Sequence, residues 1–69
     1  MERILKIEGM MCPHCEANVK STLEGLEGVI SAEVSHHKNT AVVKAEKEID
    51  DELLKNAVED KGYKVISID

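Results

Sequence analysis

Apolar and polar residues alternate in four short stretches of this chain, which is the pattern of strands buried on one face. In the first stretch, for example, Leu5 and Ile7 face one way and Lys6 and Glu8 the other. Ile30, Ala32 and Val34 alternate in the second, after an opening at Gly28 and Val29, and Ala41, Val43 and Ala45 alternate in the third. The pattern predicts strands over residues 3–8, 28–34, 40–45 and 63–68.

Between the first two of these strands, the apolar residues repeat with the period of a helix. Cys15, Val19 and Leu23 recur every four residues and predict one apolar stripe. Pro13 suits the first position of this helix, where its missing N–H is no loss, and Gly25 is suited to end it.

A second helix is predicted between the third and fourth strands. Asp50 is a good N-cap, and Ile49 and Leu54 have the spacing of a hydrophobic staple across it. Gly62 ends the helix. The predicted apolar face of this helix consists of Leu53, Leu54, Ala57 and Val58.

The order of the elements is strand, helix, strand, strand, helix, strand. With right-handed crossovers, this order predicts an α+β, ferredoxin-like βαββαβ sandwich, with two helices on one face of a four-stranded antiparallel sheet. His36, His37, Lys38 and Asn39 form the predicted hairpin turn, with Asn39 able to adopt a positive φ. This topology brings the loop after the first strand, the His36–His37 turn and Gly62–Tyr63 to one end of the domain.

Composition narrows the classes of function. The chain has 69 residues, no Trp or Phe, and a net charge of −5. A domain this small leaves little room for a deep substrate pocket, and an acidic surface disfavours nucleic acid and anionic membranes as partners. The chain contains no apolar run long enough for a signal peptide or a membrane span, so we expect a cytoplasmic protein.

Both cysteines lie in the segment Gly9-Met10-Met11-Cys12-Pro13-His14-Cys15, at the start of the first predicted helix. The free N–H groups and the dipole of a helix start stabilise thiolates. Such a pair can hold a soft metal ion or cycle between dithiol and disulfide.

This segment resembles the Gly-Met-x-Cys-x-x-Cys signature of the heavy-metal-associated domain family, and the resemblance extends over residues 1–69 through Gly28–Val29 and Gly62–Tyr63. It implies that Cys12 and Cys15 bind Cu(I) in a protein that is not an enzyme. The implied partner is a copper-transporting P-type ATPase or another domain with a CxxC motif, and a copper-bridged homodimer is a further expectation. The chemistry agrees, because two thiolates suit Cu(I), whereas Zn(II) normally takes four ligands.

The residues near the cysteines give weaker indications of their roles. Met10 resembles the methionine that packs beneath the loop in this family, and Tyr63 is either a shield for the metal or a half-buried strand residue. Met11 and His14 are expected to face solvent. His36 and His37 are interpreted as a surface turn rather than an accessory metal site, because adjacent side chains on a strand point in opposite directions.

Two alternatives remain open from the sequence. Cys-Pro-His-Cys is also the active-site tetrad of oxidising thiol–disulfide oxidoreductases, but those resemble thioredoxin and carry a second proline, whereas Pro13 is the only proline here. The other alternative is a module for Hg(II), Cd(II) or Zn(II), in which Glu16 would be the only nearby carboxylate. We expect Glu16 instead to favour the helix dipole and to pair with Lys20.

Overall fold

The computed structural model describes all 69 residues and contains the six predicted elements in the predicted order. Neither helix is long and apolar enough to cross a membrane. The elements are β1 (Glu2–Glu8), α1 (Pro13–Glu24), β2 (Val29–Ser35), β3 (Thr40–Ala45), α2 (Asp51–Glu59) and β4 (Lys64–Ile68).

The four strands form one antiparallel sheet in the order β2-β3-β1-β4. Helix α1 packs on β2 and β3, α2 packs on β4, and the two helices contact each other. The ferredoxin-like βαββαβ fold predicted from the alternation is therefore confirmed.

The core between the helices and the sheet contains no polar residue. Leu5 and Ile7 of β1 lie at its centre and are at most 1% exposed. A core of this kind offers no buried chemistry, so any functional site must lie at the surface. The buried residues are Leu5, Ile7, Met10, Val19, Leu23, Ala32, Ala41, Val43, Ala45, Ile49, Leu54, Val58 and Val65.

Helix α1 follows the prediction closely. Val19 and Leu23 are buried, and Cys15 packs against the edge of the core. Gly25 is the C-cap, and its N–H bonds to the carbonyl of Ser21 at 3.1 Å. The stripe therefore anchors the second cysteine to the core through its own helix.

One predicted core position on β2 is wrong. Ile30 is 66% exposed, whereas Ala32 is buried and Val34 is half-buried. The pairing register with β3 shifts between Val29 and Ser31, so Ile30 is an extra residue in a bulge. A bulge breaks the two-residue period, and for that reason the alternation of Ile30 with Ala32 did not predict its burial.

Helix α2 also has a narrower apolar face than the sequence predicts. Leu54 and Val58 are buried and Ala57 is half-buried, but Leu53 is 48% exposed. Successive helical residues are about 100° apart, and this short helix rests on the Leu54–Val58 line. The predicted N-cap is confirmed, because the Asp50 carboxylate accepts a hydrogen bond from the backbone N–H of Glu52 at 3.3 Å.

Candidate metal centre

The loop between β1 and α1 begins with a change of backbone direction at Gly9. Its φ of 105° lies in a region that residues with a side chain rarely adopt. Met10, the next residue, then turns inward and is only 2% exposed. This places Met10 beneath the loop, as predicted, and leaves the cysteines above it.

Cys12 is the N-cap residue of α1, and Pro13 occupies the first helical position. The backbone of Cys12 is extended, and its carbonyl accepts the first helical hydrogen bond, from the N–H of Glu16, at 3.1 Å. No side chain caps the helix. The positive end of the helix dipole is therefore directed at the cysteine segment, where it favours negatively charged sulfur.

The two sulfur atoms are close together and are not bonded to each other. Cys12 Sγ and Cys15 Sγ are 3.5 Å apart, and both side chains are half-buried free thiols. Zinc–sulfur bonds are about 2.3 Å long, so a metal with bonds of that length bridges sulfurs up to about 4.6 Å apart. The pair is therefore within reach of a single metal ion.

Tyr63 contributes to the chemistry of this pair. A hydrogen bond from its side chain is the largest cause of a lowered pKa for the Cys15 thiol, followed by the Met11 backbone and the Cys12 side chain. Partial burial opposes these effects without cancelling them. The same contact raises the pKa of Tyr63. Tyr63 is also half-buried and packs against the core, so its position fits both roles considered for it.

The other two side chains of the segment face solvent, as predicted. Met11 is 86% exposed and His14 is also exposed. Both therefore lie at the rim of the site, whereas Cys12, Cys15 and Tyr63 are half-buried.

Glu16 joins the helix start to the β2–β3 turn, a contact that sequence reasoning missed. One carboxylate oxygen, Oε2, lies 2.8 Å from His36 Nδ1 and accepts the backbone N–H of His36 at 2.9 Å. The hydrogen bond from the His36 ring is the largest cause of a lowered pKa for Glu16, followed by the backbone N–H. The predicted Glu16–Lys20 pair is wrong, because Lys20 instead lies 3.8 Å from Glu24.

The relation between the two histidines of the turn also differs from the prediction. His36 and His37 lie in the turn after β2, where the alternation of a strand no longer applies. Their ring centroids are only 4.0 Å apart. Asn39 adopts the expected positive φ, 54°. The argument that these two side chains diverge is therefore wrong, while the predicted clustering of the turn with the cysteine loop is confirmed.

Asn18 is a second residue that the sequence did not reveal. Its side chain lowers the pKa of the Tyr63 phenol, against the larger opposite effect of Cys15. Asn18 lies one helical turn after Cys15, so its position on the same face of α1 was a signal available in the sequence. No comparable local signal joins Glu16 to His36.

Comparison with known proteins gives a consistent result. The sequence profile of the heavy-metal-associated domain matches residues 4–64. The chain belongs to the heavy-metal-associated domain family.

Individual relatives refine this assignment. The chain is 42% identical to the copper chaperone CopZ of Staphylococcus haemolyticus over 66 residues, which cover 94% of this chain and 97% of that protein. A solved CopZ metallochaperone superimposes with a TM-score of 0.90 at 36% identity, covering 96% of this chain and all (100%) of the other. The Cu(I)-loaded N-terminal domain of a potential copper-translocating P-type ATPase from Bacillus subtilis gives a TM-score of 0.83 at 35% identity, covering 93% and 81%.

Proposed function

We propose that Cys12 and Cys15 bind one Cu(I) ion and that the protein passes this ion to a partner by exchange of thiolate ligands. The observation that carries the proposal is the pair of free thiols 3.5 Å apart at a helix start. The lowered pKa of Cys15 supports it, since the thiolate is the metal-binding form.

The chemistry of the donor set favours Cu(I) over zinc and cadmium. Soft thiolate ligands select Cu(I), and two of them satisfy an ion that accepts low coordination numbers. Zinc and cadmium modules would need further ligands, and the nearby Glu16 carboxylate is already engaged by His36. The names of the relatives, a copper chaperone and a Cu(I)-loaded ATPase domain, support the same metal.

The two cysteines have different roles in the proposed transfer. Cys15 packs against the core, whereas Cys12 lies outside the core cluster, at the N-cap. An incoming partner thiolate forms a bond to copper first, and the bond from copper to Cys12 then breaks. Copper remains Cu(I) throughout, so the exchange needs no oxidant or reductant, and the protein acts as a carrier rather than an enzyme.

The proposed partner is a metal-binding domain of a copper-transporting P-type ATPase, or another domain with its own CxxC motif. Structural similarity to such an ATPase domain supports this choice, because two domains of one fold can present matching cysteine loops. A net charge of −5 would favour a partner with a basic face. Metal binding needs reduced thiols, which agrees with a cytoplasmic location. We also expect that copper joins two copies of the protein into a dimer.

An anaerobic titration of the reduced protein with Cu(I), against a colorimetric copper chelator, tests the metal site. We expect tight binding of one copper per chain, weak binding of Zn(II), and loss of tight copper binding in both C12S and C15S. M11L is the matched control, because it removes the exposed sulfur beside the pair but leaves both thiols. Intact copper binding in the doubly substituted C12S/C15S protein would contradict the proposal.

The same protein allows a direct test of the oxidoreductase alternative. If Cys12 and Cys15 serve redox chemistry, their disulfide will oxidise a dithiol substrate rapidly and copper will be readily removed by the chelator. Slow disulfide exchange together with copper retention supports the carrier function.

Transfer itself is tested by mixing the copper-loaded protein with an isotope-labelled CxxC domain from a copper ATPase. We expect copper to move to the labelled domain even when excess chelator traps free copper, with chemical-shift changes at its cysteine loop. Transfer that stops when the chelator is present would mean release into solution, and would contradict ligand exchange.

A further inference from the structure

The pair of imidazoles in the β2–β3 turn has no role in the proposed copper transfer, yet the two rings lie close together in a defined arrangement. His36 and His37 are adjacent in sequence, and their ring centroids are 4.0 Å apart with a tilt of 37°. Imidazole nitrogens bind divalent transition metals at about 2.0–2.1 Å, so two of them on one ion are at most about 4.2 Å apart. The 4.0 Å separates ring centres rather than nitrogens, so the exposed His37 ring must rotate to direct one of its nitrogens at the same ion as His36.

Glu16 fixes the tautomer of His36. A carboxylate only accepts hydrogen bonds, so the contact of 2.8 Å between Glu16 Oε2 and His36 Nδ1 places the ring proton on Nδ1. In the neutral ring the lone pair is then on Nε2. Metal-binding histidines commonly donate their other N–H to a carboxylate in this way, which orients the ring and makes it a better ligand.

The position of His36 is also fixed by its backbone. Its N–H donates to the same Glu16 oxygen at 2.9 Å, and its side chain is only 17% exposed. The ring is therefore held in place before any ion arrives, which reduces the entropy lost on binding.

Space for an ion is available beside the two rings. An open cavity of about 660 Å³ is lined by both histidines, by Glu8 at the end of β1 and by Met11 of the cysteine loop. The exposed Glu8 carboxylate makes this cavity attractive to cations. No group of three or more His, Cys, Asp or Glu side chains is placed to hold a metal, so water would complete the coordination.

We propose that His36 and His37, with Glu16 orienting the first, form a second metal site for a divalent, nitrogen-preferring cation, Cu(II) above all. Cu(II) is the choice because it binds nitrogen ligands most strongly among the divalent metals of its row. This site is distinct from the thiolate pair, which prefers Cu(I), and it lies at the same end of the domain.

The test uses Cu(II) alone with the C12S/C15S protein, in which no thiol can reduce the ion. We expect one Cu(II) per chain, with an electron paramagnetic resonance spectrum that shows coupling to two imidazole nitrogens. H37A should abolish stoichiometric binding of Cu(II), and with it the two-nitrogen spectrum. H14A is the matched control, because it removes the remaining histidine but leaves the turn intact.

The orienting role of Glu16 is tested separately. E16A should weaken Cu(II) binding about tenfold or more, the usual effect of losing an outer-sphere partner. E16Q should restore much of the affinity, because its amide oxygen can still accept from His36. Equal effects of E16A and E16Q would contradict the orienting role.

A second preparation guards against loss of structure in the substituted protein. Wild-type thiols occupied by one equivalent of diamagnetic Hg(II) leave the turn unchanged, and the same two-nitrogen spectrum is expected on adding Cu(II). The proposal is overturned if neither preparation binds Cu(II), or if binding persists in H37A or is lost in H14A. Because neither preparation has free thiols, these outcomes are independent of whether Cys12 and Cys15 carry Cu(I).

Discussion

At the scale of single residues, the chemistry of the site depends on side chains outside the cysteine motif. Tyr63 lowers the pKa of Cys15 through a hydrogen bond, and Asn18 lowers the pKa of Tyr63 in turn. Glu16 holds the backbone and the ring of His36. The motif supplies the two sulfur atoms, and among these neighbours Tyr63 acts directly on the acidity of Cys15.

The contribution of Tyr63 leads to a prediction about thiol reactivity. In a C12S background, where Cys15 is the only thiol, Y63F should move the midpoint of the pH dependence of alkylation to higher pH. The reason is that Cys15 loses the largest stabilisation of its thiolate form. Alkylation rates measured across the pH range check this, and an unchanged midpoint would show that Tyr63 does not act on the thiol.

The Glu16–His36 contact predicts a pH dependence of stability. The folded pKa of Glu16 is lowered, so its contribution is fully present above the unfolded value, about 4.3, and is lost as the pH falls through the folded pKa. Urea unfolding from about pH 7 to about pH 3 should show the advantage of wild type over E16Q shrinking at the acidic end.

A matched control for this measurement is E33Q, since the Glu33 side chain is exposed and takes part in none of the ion pairs. Its difference from wild type should stay nearly flat across the same range. If the E16Q difference is equally flat, the hydrogen bonds to His36 do not couple to the ionisation of Glu16.

At the scale of elements, the ends of the two helices serve different purposes. Helix α1 begins at Cys12 with no side-chain cap, which leaves its free N–H groups and dipole facing the thiols. Helix α2 begins at Asp50, whose carboxylate caps the helix. The uncapped start lies at the site, and the capped start stabilises the scaffold.

We therefore expect substitution of the cap to affect stability but not metal binding. D50A should lower the free energy of unfolding by about 1 kcal/mol, the usual cost of removing an Asp N-cap. D50N should be close to wild type, because Asn caps as well as Asp. Urea unfolding checks both, and equal losses in D50A and D50N would indicate that charge rather than the cap matters.

At the scale of the whole molecule, stability depends on a small core of aliphatic residues. A domain of 69 residues is stable by only about 3–10 kcal/mol at the usual value per residue. Burial of a single leucine is then a large part of the total. The site at the end of the sheet depends on this core, since Met10 and Cys15 both contact it.

Two adjacent leucines of α2 allow a controlled test. L54A removes a side chain with 0% exposure and should cost about 2–5 kcal/mol, enough to bring the domain near unfolding. L53A removes a neighbour that is 48% exposed, and should change stability by less than about 0.5 kcal/mol. Thermal unfolding compares them, and similar losses would mean that Leu53 is buried in solution, as its sequence pattern suggested.

The order of the elements, the apolar stripe of α1 and the position of the cysteine pair could be predicted from the sequence. These depend on periods and spacings of a few residues, which local backbone geometry converts directly into strands, helices and a loop. Pro13 at the helix start and the spacing of Met10, Cys12 and Cys15 are also local features of the sequence. The structure places Pro13 at the first helical position and buries Met10 beneath the loop.

Tertiary structure alone decided which distant side chains meet at this end of the domain. Glu16 is 20 residues from His36, and no local pattern indicated that they would share two hydrogen bonds or that Lys20 would pair elsewhere. The bulge that exposes Ile30 and the turn that stacks His36 on His37 depend on the pairing of strands rather than on either strand alone. Such contacts arise from the folded arrangement, because packing fixes register and side-chain direction only when the elements come together.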